Sequence, residues 1–141
     1  MHSLLIPLDD SPCALRALAH AERLARAHGL RLRLLNVQQP GLYASLLEGV
    51  THGVPMVQSL REHGAALLVP HVERLRAAGL TVSHAVVLDA PAAAICADAR
   101  HHGCVRIIMG TRGNDSLARV VLGSVASQVA AQSPVPVTLI K

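Results

Sequence analysis

The sequence predicts an α/β fold in one domain, a parallel sheet with helices on both faces. Three observations predict it. Short, nearly continuous apolar runs, the mark of strands buried on both faces, alternate along the chain with segments whose apolar residues recur every three or four positions. Gly and Pro stand at the joins between them. The 141 residues are 51% hydrophobic and 16% charged, enough for one real core and too few for two.

Leu4–Leu8 is the first strand. Asp9-Asp10-Ser11-Pro12 turns the chain into a helix, with Ser11 as N-cap and Pro12 at the first helical position. Ala14, Leu18, Ala21 and Ala25 give that helix an apolar face, and Gly29 ends it. Leu32–Val37 is the second strand. Residues 38–56 carry Pro40, Gly41, Gly49, Gly53 and Pro55 and read as an irregular connection, with room for a helical turn near Leu42–Leu47. The second helix runs from Val57 through Leu60, Leu67, Leu68, Val72 and Leu75 to Ala78. Pro70 lies inside it and is expected to kink or divide it. Leu80–Leu88 is the third strand, and Asp89-Ala90-Pro91 opens a third helix over Ala92 to about His102, closed by Gly103. Val105–Met109 is the fourth strand, Gly110–Leu122 a loop, and Ser124–Gln132 a fourth helix broken by Ser133-Pro134. Val135–Ile140 is the fifth strand. Pro136 has no N–H to give a ladder, which places this strand at a sheet edge.

Composition excludes several functions. With one Tyr and no Phe or Trp, the core is aliphatic and no aromatic platform exists for stacked bases, which argues against nucleic acid as a partner. The formal charge is +4, yet the arginines do not cluster. Arg16, Arg23, Arg26, Arg31 and Arg33 alternate with apolar residues and read as a solvated basic surface. Cys13, Cys96 and Cys104 form no CxxC and are odd in number, so they read as buried thiols, not disulfides or a zinc site. The nine His include no HExxH pair. No apolar run approaches the ~20 residues that cross a membrane, and the first ten residues lack the basic start of a signal peptide. A soluble, cytoplasmic protein with no membrane contact is expected.

In open parallel sheets, ligands bind beyond the carboxyl ends of the strands, where strand order reverses. That directs attention to Asp9–Ser11, Val37–Gln39 and Gly110–Ser124. The last segment is punctuated by Gly110, Gly113 and Gly123, carries Arg112 and Arg119, and offers the hydroxyls of Ser116 and Ser124. Gly123-Ser124 stands where a helix begins, and there the open N–H groups and the helix dipole favour an anion. The segment is either a phosphate cradle or a tight turn followed by an ordinary cap, and spacing leaves both open. It is neither a Walker loop nor GxGxxG.

Gly110, Gly113, Gly123 and Ser124 fit, without a gap, the G-x2-G-x9-G-[S/T] pattern of nucleotide-binding universal stress proteins. The chain resembles that family along its whole length: in Leu4–Asp9, in Leu34-Leu35-Asn36-Val37, in Asp89-Ala90-Pro91 and in the closing Ser133-Pro134-Val135-Pro136-Val137. The resemblance implies a Rossmann-like sheet of order 3-2-1-4-5 and ATP, with Mg²⁺, as ligand. It implies that Pro7, Leu8, Asp9 and Val37 line an adenine and ribose pocket and that Met109 and Gly110 border the ribose and first phosphate. Arg112, Gly113, Gly123, Ser124, Val125 and Ala126 would surround the phosphates. Asp9 also reads as a carboxylate capping the first helix. Asp10 stands where the family often has Gly; beside Asp9 it would repel phosphate or help to hold Mg²⁺, and Asp115 would add to the repulsion. Val135–Ile140, an apolar edge strand, is expected to pair two copies into a homodimer. The function expected is that of an ATP-binding stress-response or signalling module. The same fold acting without nucleotide, through dimerisation or protein partners, is the alternative. A slow ATPase, with Asp9 or Asp10 as the only base, is the lesser one.

Overall fold

Strand β1 (Ser3–Pro7) leads into helix α1 (Pro12–His28), and strand β2 (Arg31–Gln38) follows. Helix α2 spans Gly53–Ala77, β3 Val82–Leu88, α3 Pro91–His101, β4 Cys104–Gly110, α4 Ser124–Gln132 and β5 Val137–Ile140. The computed structural model describes residues 1–41, 53–113 and 122–141, with backbone alone at 53–55. The helical turn expected near Leu42–Leu47 lies outside these residues, as do Asp115, Ser116 and Arg119.

The five strands form one sheet in the order β3-β2-β1-β4-β5, every pairing parallel. The apolar runs feed two cores because alternate strand residues face opposite sides. Leu4, Ile6, Leu32, Leu34 and Ile108 pack under α1 and α2, against Leu18, Leu68 and Leu75. Leu5, Leu35, Ile107 and Met109 pack under α3 and α4, against Ile95 and Val129. Ala17, Ala21 and Ala25 are at most 1% exposed, so alanines beside Leu18 let α1 lie close on the sheet.

Helix ends follow the sequence. Ser11 Oγ accepts from Ala14 N at 3.2 Å, Pro12 sits at the helix start, and Gly29 closes α1 at φ 64°. Some expectations are corrected. Helix α2 begins at Gly53, inside the connection expected over residues 38–56, and it runs unbroken to Ala77, so Pro70 does not divide it. Pro70 and Ala66, whose carbonyl would have met the missing N–H, are both exposed, so the lost bond lies on the solvated side. Nor does Arg33 belong to a solvated surface. It is 8% exposed, on the sheet face that α3 covers, with Nε and Nη2 donating to Asp98 Oδ2 and Oδ1 at 2.6 and 2.8 Å. Strands β3 and β5 begin two residues later than expected, at Val82 and Val137, although Pro136 O still accepts from Ile107 N at 3.0 Å. Among the described residues no helix is long and apolar enough to cross a membrane.

The chain turns to one side of β1 to make β2 and β3, then crosses to the other side for β4 and β5. Strand order therefore reverses between β1 and β4, and the segments after those two strands face each other at the carboxyl edge of the sheet.

Candidate functional site

A cleft of about 1060 Å³ opens at that edge. Its first wall is the end of β1. Leu8 N donates to Leu35 O at 2.8 Å, and the buried Asn36 side chain donates from Nδ2 to Leu8 O at 2.8 Å. The N–H and the carbonyl of Leu8 are thus both held by β2 just before the chain leaves the sheet at Asp9. Asp9 Oδ1 accepts from Ser11 N at 2.9 Å and from the Ser11 hydroxyl, which in turn caps α1. The helix cap is therefore Ser11, and Asp9 supports it with one oxygen. The other, Oδ2, lies 3.0 Å from the point that a Cβ on Gly113 would occupy. Asp9 and Gly113 thus meet across the cleft.

The opposite wall is the end of β4. A Cβ on Gly110 would lie 2.9 Å from Cys13 Sγ and 3.0 Å from the Cys13 carbonyl carbon, so only glycine lets the start of α1 pack there. Thr111, 7% exposed, extends the ladder by donating from N to Ile140 O at 2.9 Å, and its carbonyl accepts from Gly123 N at 2.6 Å. That last bond closes the loop and brings the start of α4 back beside β4. Gly123 occupies the N-cap position and no side chain caps α4. Among the described residues, the first-turn N–H groups of Ser124, Val125 and Ala126 therefore have no side-chain cap and are open to water or an anion.

Cys13 stands behind this wall, 5% exposed, donating from Sγ to Ile140 O at 2.9 Å. Burial pushes its thiol up, but hydrogen bonds from the Arg112 and Thr111 backbones and the Thr111 hydroxyl, with the nearby Arg16 charge, outweigh that and hold it below the usual value. Cys96 and Cys104, equally enclosed, are pushed up by burial.

All twelve residues expected at the site line this cleft: Pro7, Leu8, Asp9, Val37, Met109, Gly110, Arg112, Gly113, Gly123, Ser124, Val125 and Ala126. Asp10 also lines it. Gln38, Gln39, Thr111 and Leu122, inside the segments singled out in the sequence, also line it, as do Ala14, Leu35, Asn36, His63, Leu67, Pro91 and Ile95, which sequence reasoning passed over. One signal could have found Asn36: an amide in the otherwise apolar run Leu34-Leu35-Asn36-Val37 must be buried and must find partners. Among the described residues no three His, Cys, Asp or Glu side chains gather as a metal cage. Asp9 and Asp10 in the cleft suit Mg²⁺, which prefers one or two carboxylates shared with phosphate oxygens and water. The volume, the aliphatic floor and the uncapped helix start suit a nucleotide of ATP's size.

The chain is similar to a universal stress protein of Thermus aquaticus, 29% identical with 99% of this chain and 98% of that protein aligned. It superposes on the universal stress protein UspA of Lactobacillus plantarum with a TM-score of 0.87 at 23% identity, covering 99% of this chain and 97% of the other, a likeness of fold. A universal stress protein solved in complex with cAMP matches with a TM-score of 0.71 at 25% identity, over 99% and 97% of the two chains. A sequence model of the universal stress protein family matches residues 1–141, and the chain belongs to that family.

Proposed function

We propose that this chain is a cytoplasmic, single-domain, ATP-binding stress-response or signalling module. It takes Mg-ATP in the cleft between the ends of β1 and β4. The observation that carries the reading is the meeting of Asp9 and Gly113 across the cleft from an uncapped α4, with all twelve expected residues around it. In this reading Pro7, Leu8 and Val37 hold the adenosine by shape, and Asp9 Oδ2 accepts from the ribose hydroxyls. Met109 and Gly110 border the ribose and first phosphate. The backbone N–H groups of Gly113, Ser124, Val125 and Ala126, with Arg112, bind the phosphates, and Asp10 is the carboxylate that would help to hold Mg²⁺. The solved relative with cAMP supports an adenine nucleotide in this fold. Two copies pair through β5, whose residues are all partly buried at an apolar edge.

The second reading, the same fold acting without nucleotide, draws on Asp10, a second carboxylate in the cleft. Calorimetric melting of nucleotide-stripped protein with and without millimolar Mg-ATP decides between them; the lack of Trp rules out the usual fluorescence probe. At ~100 times its Kd a ligand stabilises by about 2.7 kcal/mol, a rise of roughly 5–15 °C for a chain of this size. No rise in the folded protein favours the second reading.

A further inference from the structure

We propose that Gln38 selects the base, by presenting a fixed hydrogen-bond acceptor that favours a 6-amino purine over a 6-oxo purine. The inference rests on the reading of the cleft as a nucleotide site.

A chain of hydrogen bonds fixes the polarity. It starts at Leu8 O, a backbone carbonyl that can only accept. The Asn36 side chain approaches it at 2.8 Å and is 2% exposed, so its NH₂ must face Leu8 and its Oδ1 must face the other way. Oδ1 also can only accept. The Gln38 side chain approaches it at 2.7 Å and must therefore turn its own NH₂ inward. The arrangement is locked from behind by α2, because a Cβ on Gly64 would lie 2.6 Å from Asn36 Oδ1. That leaves the Gln38 carbonyl oxygen as the end of the amide turned away from Asn36, on a residue that lines the cleft at the end of β2.

That end is where a base would lie. Phosphates on the α4 N-terminus place the rest of a nucleotide toward β2, where Val37, Leu67 and Pro91 give aliphatic walls for a flat ring. An oxygen acceptor there complements the exocyclic NH₂ of adenine and meets the O6 of guanine or hypoxanthine lone pair to lone pair. An exposed glutamine would rotate to suit either base. This one cannot turn without breaking its bond to Asn36.

The test compares ATP, ITP and purine riboside triphosphate, which carry an amino group, an oxo group and hydrogen at position 6. Each is titrated calorimetrically, with Mg²⁺, into stripped wild type and Gln38→Leu, with melting of both free proteins as the folding control. The wild type should prefer ATP over both analogues by up to the roughly tenfold that one net hydrogen bond gives. In Gln38→Leu the three affinities should converge. If Gln38→Leu melts like the wild type and keeps the wild-type ATP preference, the inference is overturned while the nucleotide reading stands. If the wild type binds all three equally, the inference is likewise overturned. If it binds none, the nucleotide reading fails and the inference falls with it.

Discussion

Gly110 to Ala tests how the site is built into the packing. The added Cβ would stand 2.9 Å from Cys13 Sγ and 3.0 Å from both Cβ and the carbonyl carbon of Cys13. Ordinary contacts between such atoms lie near 3.5–4.0 Å, so the deficit is roughly 0.5–1 Å at three atoms. Neither relief is free. Swinging the sulfur away breaks its 2.9 Å bond to Ile140 O, and the carbonyl carbon belongs to the first turn of α1 and moves only with that helix. Overpacking of this kind costs about 1–3 kcal/mol, or roughly 3–12 °C in Tm. Urea unfolding followed by far-ultraviolet circular dichroism measures it, with the exposed Gly41→Ala as control because no atom of the described residues lies within 4 Å of a Cβ there. A Gly110→Ala loss below about 0.5 kcal/mol, level with the ordinary surface substitution at Gly41, would refute the reasoning.

Three other outcomes are expected. Asp98→Ala strands the buried Arg33 guanidinium and should cost about 3–5 kcal/mol in urea unfolding, whereas Arg33→Met with Asp98→Leu should cost far less. The hydrogen bond from Arg26, helped by Arg74 and opposed by burial, holds the Glu22 carboxyl below its usual range. Its folded value lies below its unfolded one. The stabilisation is therefore present above the ordinary carboxylate range and lost as pH falls through the folded value, and Glu22→Gln should flatten the acid limb of a stability–pH curve. At the β3 edge, Arg76 donates to Val82 O at 3.3 Å from Nε and 2.8 Å from Nη2, and Arg61 to Val86 O at 3.4 Å, closing carbonyls that face away from β2. Replacing both arginines with Ala should produce concentration-dependent assemblies larger than the wild type's in sedimentation velocity; an unchanged profile would contradict that role.

Much of the fold was legible because the strands are short, mostly apolar runs and the helices between them carry Gly and Pro punctuation. Ser11-Pro12 and Gly29 mark the ends of α1 in the sequence, and they mark them in the structure. The place of the cleft was legible in a carboxylate after one strand and spaced glycines after another, and the family resemblance carried by those glycines supplied the twelve residues that line it. What escaped depends on pairs far apart in the chain. Arg33 looks like any surface arginine until Asp98, 65 residues on, is placed above it. Asn36 has no role until the end of β1 supplies Leu8 O, 28 residues away. Pro70 breaks no helix because the face it sits on is solvated, and a helical period shows a face but not which solvent covers it.

The central claim is that the cleft between Asp9 and α4 holds an adenine nucleotide. Gly113→Val isolates it. Among the described residues, the only atom within 4 Å of a Cβ at Gly113 is Asp9 Oδ2, the far end of a flexible side chain, so the fold should tolerate the change while the new methyls fill the cleft. Titration calorimetry of Mg-ATP into stripped wild type should give one site per chain. Gly113→Val should melt like the wild type yet bind at least tenfold more weakly. Binding to Gly113→Val as tight as to the wild type, or no binding to a folded wild type, would contradict the account.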